Sequence, residues 1–312
     1  MNVGIFYSSI SNWQAPTSQH KTGTLKEFAL GVKACGDTPV SHKDPSGIIE
    51  NMDAAVILGY AIDKGFRHKI ITNLKSKNIP IIFLDSNIFV YGKKDLRCYR
   101  YSVNGIYPTD GEYFLSLPID SSKLDRILAI HNIEIKPWRQ NGSHILILGQ
   151  RTTSWNMLNR NILEWVTTTI EKIKQITDRP IRVRLHPGDL ENNISNINKL
   201  QKRFGNSITI STKLNNQNII NDFEDAWCSV GYNSTPNCAS IMNGIPVYLE
   251  DPVNSWAKDV AFTDLNLIEN PPMPDRTDWL HKIAHIHHTS EEITSGAYWR
   301  KYKEFYNIPP SV

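Results

Sequence analysis

The sequence predicts an α/β fold made of two doubly wound domains, and three observations support this prediction. Short apolar runs without polar alternation recur along the chain, as strands buried on both faces require. Stretches with helical periodicity separate these runs, which is the strand–helix alternation typical of parallel sheets. The chain has 312 residues, more than one hydrophobic core usually serves, so two domains are expected.

The individual elements follow from these runs. The predicted strands are Val3–Tyr7, Ala55–Gly59, Ile79–Leu84, Ile145–Leu148, Ile181–Leu185, Ser207–Ile210, Cys228–Gly231 and Pro246–Leu249. The predicted helices are Thr22–Cys35, Gly65–Lys77, Ile162–Thr177 and Ile194–Phe204. A polar, turn-rich segment at 137–142 precedes a fresh apolar run and marks the domain boundary. The predicted domains are 1–139 and 140–290. An aromatic helix in 291–312 packs either back on the first domain or only on its own domain.

Composition narrows the class of protein. The net charge of +3 permits an anionic substrate without requiring nucleic acid. The four cysteines lie far apart and lack zinc spacing, which indicates reduced thiols of a cytosolic protein. No apolar run approaches the roughly 20 residues that span a bilayer, and no signal peptide is seen at the start. We therefore expect a cytoplasmic protein without a membrane span.

The end of one predicted strand carries the most informative residues. Strand Ile181–Leu185 contains Arg184 and runs directly into His186, Pro187 and Gly188. Ligands of open α/β sheets bind just beyond the carboxyl ends of strands. A histidine there can donate to a phosphate oxygen, an arginine adds charge, and a glycine lets backbone approach closely. The alternative is a turn in which the histidine only closes a loop.

A second strand end points to the same kind of ligand. Asn233, Ser234 and Thr235 follow strand Cys228–Gly231 and open a predicted helix. The free N–H groups and the dipole of a helix start favour a phosphate there, although simple capping of the helix is the alternative. Glu250 follows the next strand, where a carboxylate can accept hydrogen bonds from ribose hydroxyls.

This order of motifs resembles the C-terminal half of GT-B glycosyltransferases, which have two Rossmann-like domains facing a cleft. The likeness covers mainly 143–251 and is greatest to bacterial sialyltransferases and capsule-type Kdo transferases, including the strand that ends in Gln150. In those families the His-Pro and Ser/Thr pairs bind the phosphate of the donor nucleotide. The resemblance implies a nucleotide-sugar donor, linked to UDP or CMP. The predicted donor-binding residues are Gln150, Arg151, Arg184, His186, Pro187, Gly188, Asn233, Ser234, Thr235 and Glu250.

Over most of its length the chain also resembles glycosyltransferase-like proteins of bacteriophage genomes. The stretches 100–105, 150–157 and 295–299 carry this resemblance. It implies hydroxymethylated pyrimidine in double-stranded DNA as the acceptor, and the host cytoplasm as the location. The capsule resemblance implies a growing surface glycan instead, and a sugar-nucleotide epimerase of the same fold is a third alternative.

The chain departs from these families at the position of the catalytic base. The sialyltransferase and capsule families place an Asp-Gly pair in the N-terminal half, whereas here Asn104 precedes the matching glycine and cannot take a proton. Asp110 stands before the next glycine and is the candidate base, with Glu112 and Asp85 as rivals. An ordinary Asp-Gly turn is the alternative for Asp110.

Two segments are candidates for the acceptor side. Ser9, Trp13 and Gln14 follow the first predicted strand, and we expect them to line the acceptor site. A basic segment could contact DNA phosphates, although a solvated charged loop would have the same composition. Its residues are Lys93, Lys94, Arg97 and Arg100.

No cofactor or metal is predicted. The chain has no Asp-x-Asp motif, so the usual clamp between a metal ion and a diphosphate is missing. Four histidines lie close together at His281, His285, His287 and His288. Without a supporting pattern of acids, they favour a solvated helix face over a metal site.

Overall fold

A computed structural model describes residues 1–44, 51–62, 64–90, 98–152, 157, 160–211 and 219–309. The described residues fall into two compact units. One unit takes Met1–Asn87, Lys94–His131 and Leu280–Val312, and the other takes Ile88–Lys93 and Asn132–Trp279. In chain order the elements are β1 (Asn2–Phe6), α1 (Gln19–Ala34), β2 (Thr38–His42), β3 (Ala54–Leu58), α2 (Gly65–Ser76), β4 (Ile81–Asp85), β5 (Cys98–Val103), α3 (Ser122–His131), β6 (His144–Leu148), α4 (Ile162–Lys174), β7 (Ile181–Arg184), α5 (Leu190–Phe204), β8 (Ile208–Ile210), α6 (Ile219–Phe223), β9 (Ala226–Gly231), α7 (Pro236–Met242), β10 (Val247–Leu249), α8 (Thr277–His285), β11 (His287–Thr289), α9 (Ser290–Thr294) and α10 (Ala297–Phe305).

The first unit is built on a mixed sheet with the strand order β11-β5-β4-β3-β1-β2. Strands β1 to β4 run parallel, β5 is antiparallel to β4, and β11 is antiparallel to β5. The chain leaves β1 towards β2 on one side and reaches β3 on the other, which creates a switch point beside β1. The core on one face of this sheet includes Val3, Phe28, Tyr298 and Trp299.

The second unit has a fully parallel sheet with the order β10-β9-β6-β7-β8. Strand β6 lies at its centre and is buried throughout, as a continuous apolar strand between two helical layers must be. Helix α4 begins at Asn161, whose side chain accepts hydrogen bonds from the backbone N–H groups of Leu163 and Glu164. Its residues Trp165 and Val166 belong to the same core cluster as the central strands.

The predicted α/β class is confirmed, and each of the eight predicted strands and four predicted helices overlaps an observed element. Strands β2, β5 and β11 were missed because they lack a continuous apolar run. Strand β2 is largely exposed at the edge of its sheet and contains Pro39. Strand β5 carries Arg100, and β11 begins with two histidines.

The expectation of a solvated histidine face is wrong. His285 ends α8, and His287 and His288 lie in β11, where each is at most 5% exposed. Strand β11 pairs with β5 at the edge of the first sheet, and the His288 ring packs against Tyr101 and Tyr298. Burial lowers the pKa of all three imidazoles, to about 4 for His285.

The C-terminal helices complete the first unit through a close approach of two backbones. A Cβ atom added at Gly31 on α1 would overlap the carbonyl oxygen of Ile293 in α9. Between α9 and α10 the chain turns at Gly296, whose φ of 78° favours glycine. Helix α10 is then held by the buried carboxylate of Asp37, which accepts from Trp299 Nε1 at 2.7 Å and from Lys303 Nζ at 2.8 Å.

Within the described part of the chain, no helix is both long enough and apolar enough to cross a membrane.

The contact at Gly31 gives a test with an internal control on the same helix. We expect Gly31→Ala to lower the free energy of unfolding by about 1–3 kcal/mol, because the new methyl group meets backbone that cannot turn aside. Gly23→Ala meets nothing within 4 Å and should stabilise the protein by up to about 1 kcal/mol through helix propensity. Chemical denaturation of both variants measures the difference, and equal midpoints would show that the helices do not meet at Gly31.

Candidate functional site

Three strand ends of the second unit meet at one edge of its sheet. Strand β6 pairs with β7 on one side and with β9 on the other, so the carboxyl ends of all three are neighbours. The chain order reverses at β6, and this is the place where open α/β sheets bind ligands. The loops that follow these strands begin with Gly149, Leu185 and Tyr232, and each loop carries predicted donor-binding residues.

The loop after β7 fixes the tautomer of His186. Its Nδ1 accepts a hydrogen bond from the backbone N–H of Gly188 at 3.0 Å. Burial lowers the pKa of the imidazole, and the positive charges of Arg151 and Arg184 lower it further. The ring is therefore neutral at pH 7 and carries its proton on Nε2, which makes that nitrogen a hydrogen-bond donor.

The loop after β6 is tied to the loop after β7. Arg151 donates from Nη2 to the carbonyl oxygen of Gly188 at 2.6 Å. Asp189, which sequence reasoning missed, accepts from the backbone N–H of Thr152 at 2.7 Å and from Asn192 Nδ2 at 2.7 Å. These bonds place an exposed guanidinium beside His186. The signal in the sequence that could have identified Asp189 is its position two residues after the His-Pro pair.

The loop after β9 is tied to the loop after β6. Gln150 Oε1 accepts from the backbone N–H of Asn233 at 3.1 Å, and Asn233 Nδ2 donates to Asp251 Oδ2 at 2.9 Å. Ser234 and Thr235 lie directly before α7, as predicted. The Thr235 side chain makes no capping hydrogen bond, and the buried Ser234 hydroxyl has no partner among the residues described.

Glu250 and Arg184 differ in exposure, since Glu250 is partly exposed and Arg184 is buried. Glu250 follows β10, accepts from the Tyr248 hydroxyl at 3.0 Å, and lies 4.0 Å from Arg160 Nη1. Arg184 is only 2% exposed and forms an ion pair with the buried carboxylate of Asp222, which also accepts from Ser211 Oγ at 3.1 Å. In contrast to the sequence-based expectation of a donor contact, the Arg184 guanidinium is buried inside the unit and paired with an acid.

The equivalent edge of the first unit surrounds the end of β1. Ser9 is fully buried, and its hydroxyl donates to the carbonyl oxygen of Phe6 at 2.7 Å and accepts from the backbone N–H of Leu58 at 3.2 Å. This hydroxyl joins the ends of β1 and β3 by hydrogen bonds. It does not face an acceptor, in contrast to the prediction. Arg67, which sequence reasoning missed, donates from Nε and Nη2 to the carbonyl oxygen of Ser9 at 3.1 and 2.8 Å.

Trp13 and Gln14 do line open space in the first unit. Two neighbouring cavities, of about 480 and 400 Å³, share Trp13, Gln14 and Lys43 in their walls. The Lys43 ammonium lies 5.7 Å from the centre of the Trp13 ring, and Lys26 lines the larger cavity. An aromatic face, an amide and two ammonium groups can bind a polar ligand that carries negative charge.

The candidate bases lie at opposite edges of the first sheet. Because β5 is antiparallel to β4, its end at Val103 lies beside the start of β4. Asp110 and Glu112 follow β5 and therefore lie near the amino edge. Asp110 Oδ1 accepts from the backbone N–H of Tyr107 at 2.7 Å, as in an ordinary turn. The Glu112 carboxylate accepts from the backbone N–H of Phe114.

Asp85 ends β4 and thus lies at the carboxyl edge. Its carboxylate, 28% exposed, forms an ion pair with the buried guanidinium of Arg100. Arg100 is 4% exposed, so it holds this acid and does not present a charge to DNA as the sequence-based hypothesis required. The other predicted phosphate contacts, Lys93, Lys94 and Arg97, lie outside the described residues.

Comparison with known proteins supports the fold. No protein-family model and no curated protein match this chain. Among solved structures, the Thermosulfurimonas dismutans KpsC β-Kdo 2,4-transferase is 14% identical, with a TM-score of 0.56 over 92% of this chain and 90% of that chain. The β-Kdo 2,7-transferase of the same KpsC is 13% identical, with a TM-score of 0.54 over 96% and 99% of the two chains. The chain therefore has the GT-B fold of these transferases.

A third solved structure, the S. aureus MnaA–UDP complex, is 11% identical over 99% of this chain and 98% of that chain. The TM-score of this match is 0.40.

The buried Arg184–Asp222 pair predicts a large effect on stability. Asp222→Ala leaves a guanidinium buried without its carboxylate, and we expect the free energy of unfolding to fall by about 3–5 kcal/mol. Glu171→Ala breaks the exposed pair with Arg203 in the same unit and should cost less than about 1 kcal/mol. Urea denaturation followed by circular dichroism measures both variants. An Asp222→Ala variant as stable as Glu171→Ala would show that Arg184 is not held inside the unit.

Proposed function

We propose that this protein is a glycosyltransferase whose second unit binds the phosphate of a nucleotide-sugar donor, linked to UDP or CMP. The observation that carries the proposal is the neutral His186, whose Nδ1 is occupied by the Gly188 N–H so that Nε2 is left as a donor at the switch point of the sheet. The GT-B fold is compatible with this role. The activity and the ligand rest on the residues of the site.

The chemistry needed at this edge is stabilisation of negative charge. When the bond from the sugar to the nucleotide breaks, the departing phosphate gains charge, and donors already in place stabilise the transition state. His186 Nε2 supplies one hydrogen bond. The Arg151 guanidinium, oriented by the Gly188 carbonyl, supplies a cation within the same pair of loops. Because protein groups meet this charge, transfer proceeds without a bound metal ion in this proposal.

On the acceptor side, the cavities around Trp13 in the first unit favour a sugar. The apolar face of a pyranose packs on an aromatic ring, and Gln14 offers hydrogen bonds to hydroxyl groups. Lys26 and Lys43 favour a glycan that carries negative charge. We therefore propose that the acceptor is a surface glycan. The alternative acceptor is hydroxymethylated DNA, and the alternative activity is epimerisation of the nucleotide-sugar.

Among the three candidate bases, the position of Asp85 favours it. It lies at the carboxyl edge of the first sheet, where ligands of such sheets bind, whereas Asp110 and Glu112 follow the opposite edge. The ion pair with Arg100 orients its carboxylate. In an inverting transfer Asp85 would take the proton of the acceptor hydroxyl.

The donor site is tested by nucleotide binding. We expect the wild type to bind UDP or CMP, and His186→Ala to weaken that binding at least tenfold, because one hydrogen bond to a charged phosphate is lost. His186→Gln, which keeps an N–H donor near the position of Nε2, should retain more affinity than His186→Ala. Isothermal titration calorimetry in the presence of EDTA measures the three proteins.

The control for this experiment is His68→Ala in the first unit, which removes an imidazole of α2 far along the sequence from the site. Its affinity should match that of the wild type. The proposed donor site would be falsified if a folded His186→Ala variant bound UDP and CMP as tightly as the wild type does.

The acceptor is tested by transfer from UDP- and CMP-sugars to anionic glycans and to hydroxymethylated duplex DNA, with products weighed by mass spectrometry. We expect sugar on the glycan, and we expect Trp13→Ala to raise the KM for the glycan about tenfold while kcat changes less, because a binding surface is lost. The control is Trp138→Ala in the second unit. Sugar on DNA alone would favour the phage-type acceptor, and interconversion of the donor sugar without transfer would favour the epimerase.

A further inference from the structure

A separate cavity of about 140 Å³ lies in the first unit, where α3, β11 and α10 meet. Its wall contains two lysines, two histidines and two acids, Asp120 and Glu292. Pro118 and Asp120 are exposed and lie at its mouth, and Asp120 is already paired with Arg126 at 2.8 Å. The remaining charged or titratable residues of the wall are Lys123, His285, His288, Glu292 and Lys301, together with Tyr298.

The other acid, Glu292, is 26% exposed and already has a partner on each carboxylate oxygen. Glu292 Oε2 accepts from the backbone N–H of Thr289 at 2.8 Å, which closes the capping box of α9. Glu292 Oε1 forms an ion pair with Lys123 Nζ at 3.2 Å. Lys123 also donates to His288 Nδ1 at 3.3 Å. The charge of Lys123 is therefore compensated.

Lys301 has no such partner. Its Nζ lies 2.9 Å from His285 Nε2, and no carboxylate lies within 4.0 Å of it in the described part of the chain. The same His285 nitrogen lies 3.0 Å from the carbonyl oxygen of Phe114. A ring nitrogen that donates its proton to this carbonyl has no lone pair left for the ammonium, so only one of the two contacts is a hydrogen bond at a time.

One excess positive charge and unused donors therefore face a cavity large enough for several water molecules. The hydroxyl of Tyr298, a residue of the cavity wall that is 1% exposed, also has no hydrogen-bond partner among the described residues. Burial lowers the pKa of Lys301 to about 8 and the charge of Lys123 lowers it further, while the carboxylates of Glu292 and Glu304 oppose this shift. Bound in the cavity, an anion would offset the repulsion between the Lys123 and Lys301 ammonium groups more directly than Glu292 and Glu304, neither of which is ion-paired with Lys301 among the described residues.

We propose that this cavity is a binding site for a small oxyanion, a phosphate or carboxylate group, held by Lys301 with His285 and Lys123. Lys301 provides the uncompensated charge. His285 Nε2 donates its proton either to the Phe114 carbonyl or to the anion, and the Lys123 ammonium adds positive charge to the site. All residues of the cavity wall belong to the first unit.

The test uses the full chain and sulfate, which keeps its charge between about pH 6 and 9. We expect millimolar sulfate at constant ionic strength, adjusted with chloride, to raise the Tm by about 2 °C or more when it exceeds its Kd tenfold. Lys301→Gln should weaken sulfate binding at least tenfold, and Lys301→Arg, which keeps the charge, should retain it. Lys33→Gln removes an exposed charge from α1 and should bind as the wild type does.

The pH dependence gives a second readout. Sulfate favours the protonated form of Lys301, so its affinity should fall as the pH rises through about 8 in the wild type, and should fall much less in Lys301→Gln. Acetate in a parallel titration shows whether a carboxylate shares the site or only a tetrahedral anion is accepted. Equal stabilisation of wild type and Lys301→Gln by both anions would overturn the proposal, because sulfate then acts only as a general stabiliser.

Discussion

The contact between Gly31 on α1 and the backbone of α9 is the constraint on which the first unit depends. A carbonyl oxygen occupies the space of the missing Cβ, so the helices lie closer than any side chain allows. This approach lets the C-terminal segment lie against the N-terminal sheet. Strand β11 then adds to the sheet edge beside β5, and α10 inserts Tyr298 and Trp299 into the core around Phe28.

Buried charge is compensated in most of this structure, and the exceptions are informative. Asp37 satisfies Lys303 and the Trp299 indole, while Asp222 satisfies Arg184, so these groups hold elements together and are not available to ligands. The Asp85–Arg100 pair is intermediate in burial, because the Asp85 carboxylate is partly exposed and the Arg100 guanidinium is buried. Lys301 alone among these groups faces a cavity without a carboxylate partner in the described ranges.

At the ends of β6, β7 and β9 in the second unit, hydrogen bonds join neighbouring loops. The Gln150 side chain accepts a hydrogen bond from the backbone of the loop after β9, and Arg151 donates one to the backbone of the loop after β7. Three strand ends are thereby fixed relative to one another before any ligand arrives. Such preorganisation is what a site needs if it is to stabilise charge that develops only in the transition state.

The sequence by itself determined the α/β class, the central strands and the long helices, because continuous apolar runs and helical periodicity are local signals. It also placed His186, Asn233 and Gln150 at strand ends, since a motif that follows a buried strand must lie at the sheet edge. The proton on His186 Nε2 was not readable, because it depends on a backbone bond inside the folded turn.

Only the tertiary structure decided which charged residues face ligands and which face each other. In the sequence, Arg184 and Arg100 look like residues that contact a ligand. In the structure, each is paired with an acid that is distant along the chain. The antiparallel direction of β5 moved Asp110 to the amino edge of the sheet, and the pairing of β11 buried histidines that a helical pattern would have exposed. Strand direction and long-range pairing are set by contacts between residues far apart in the chain, and local patterns carry no information about them.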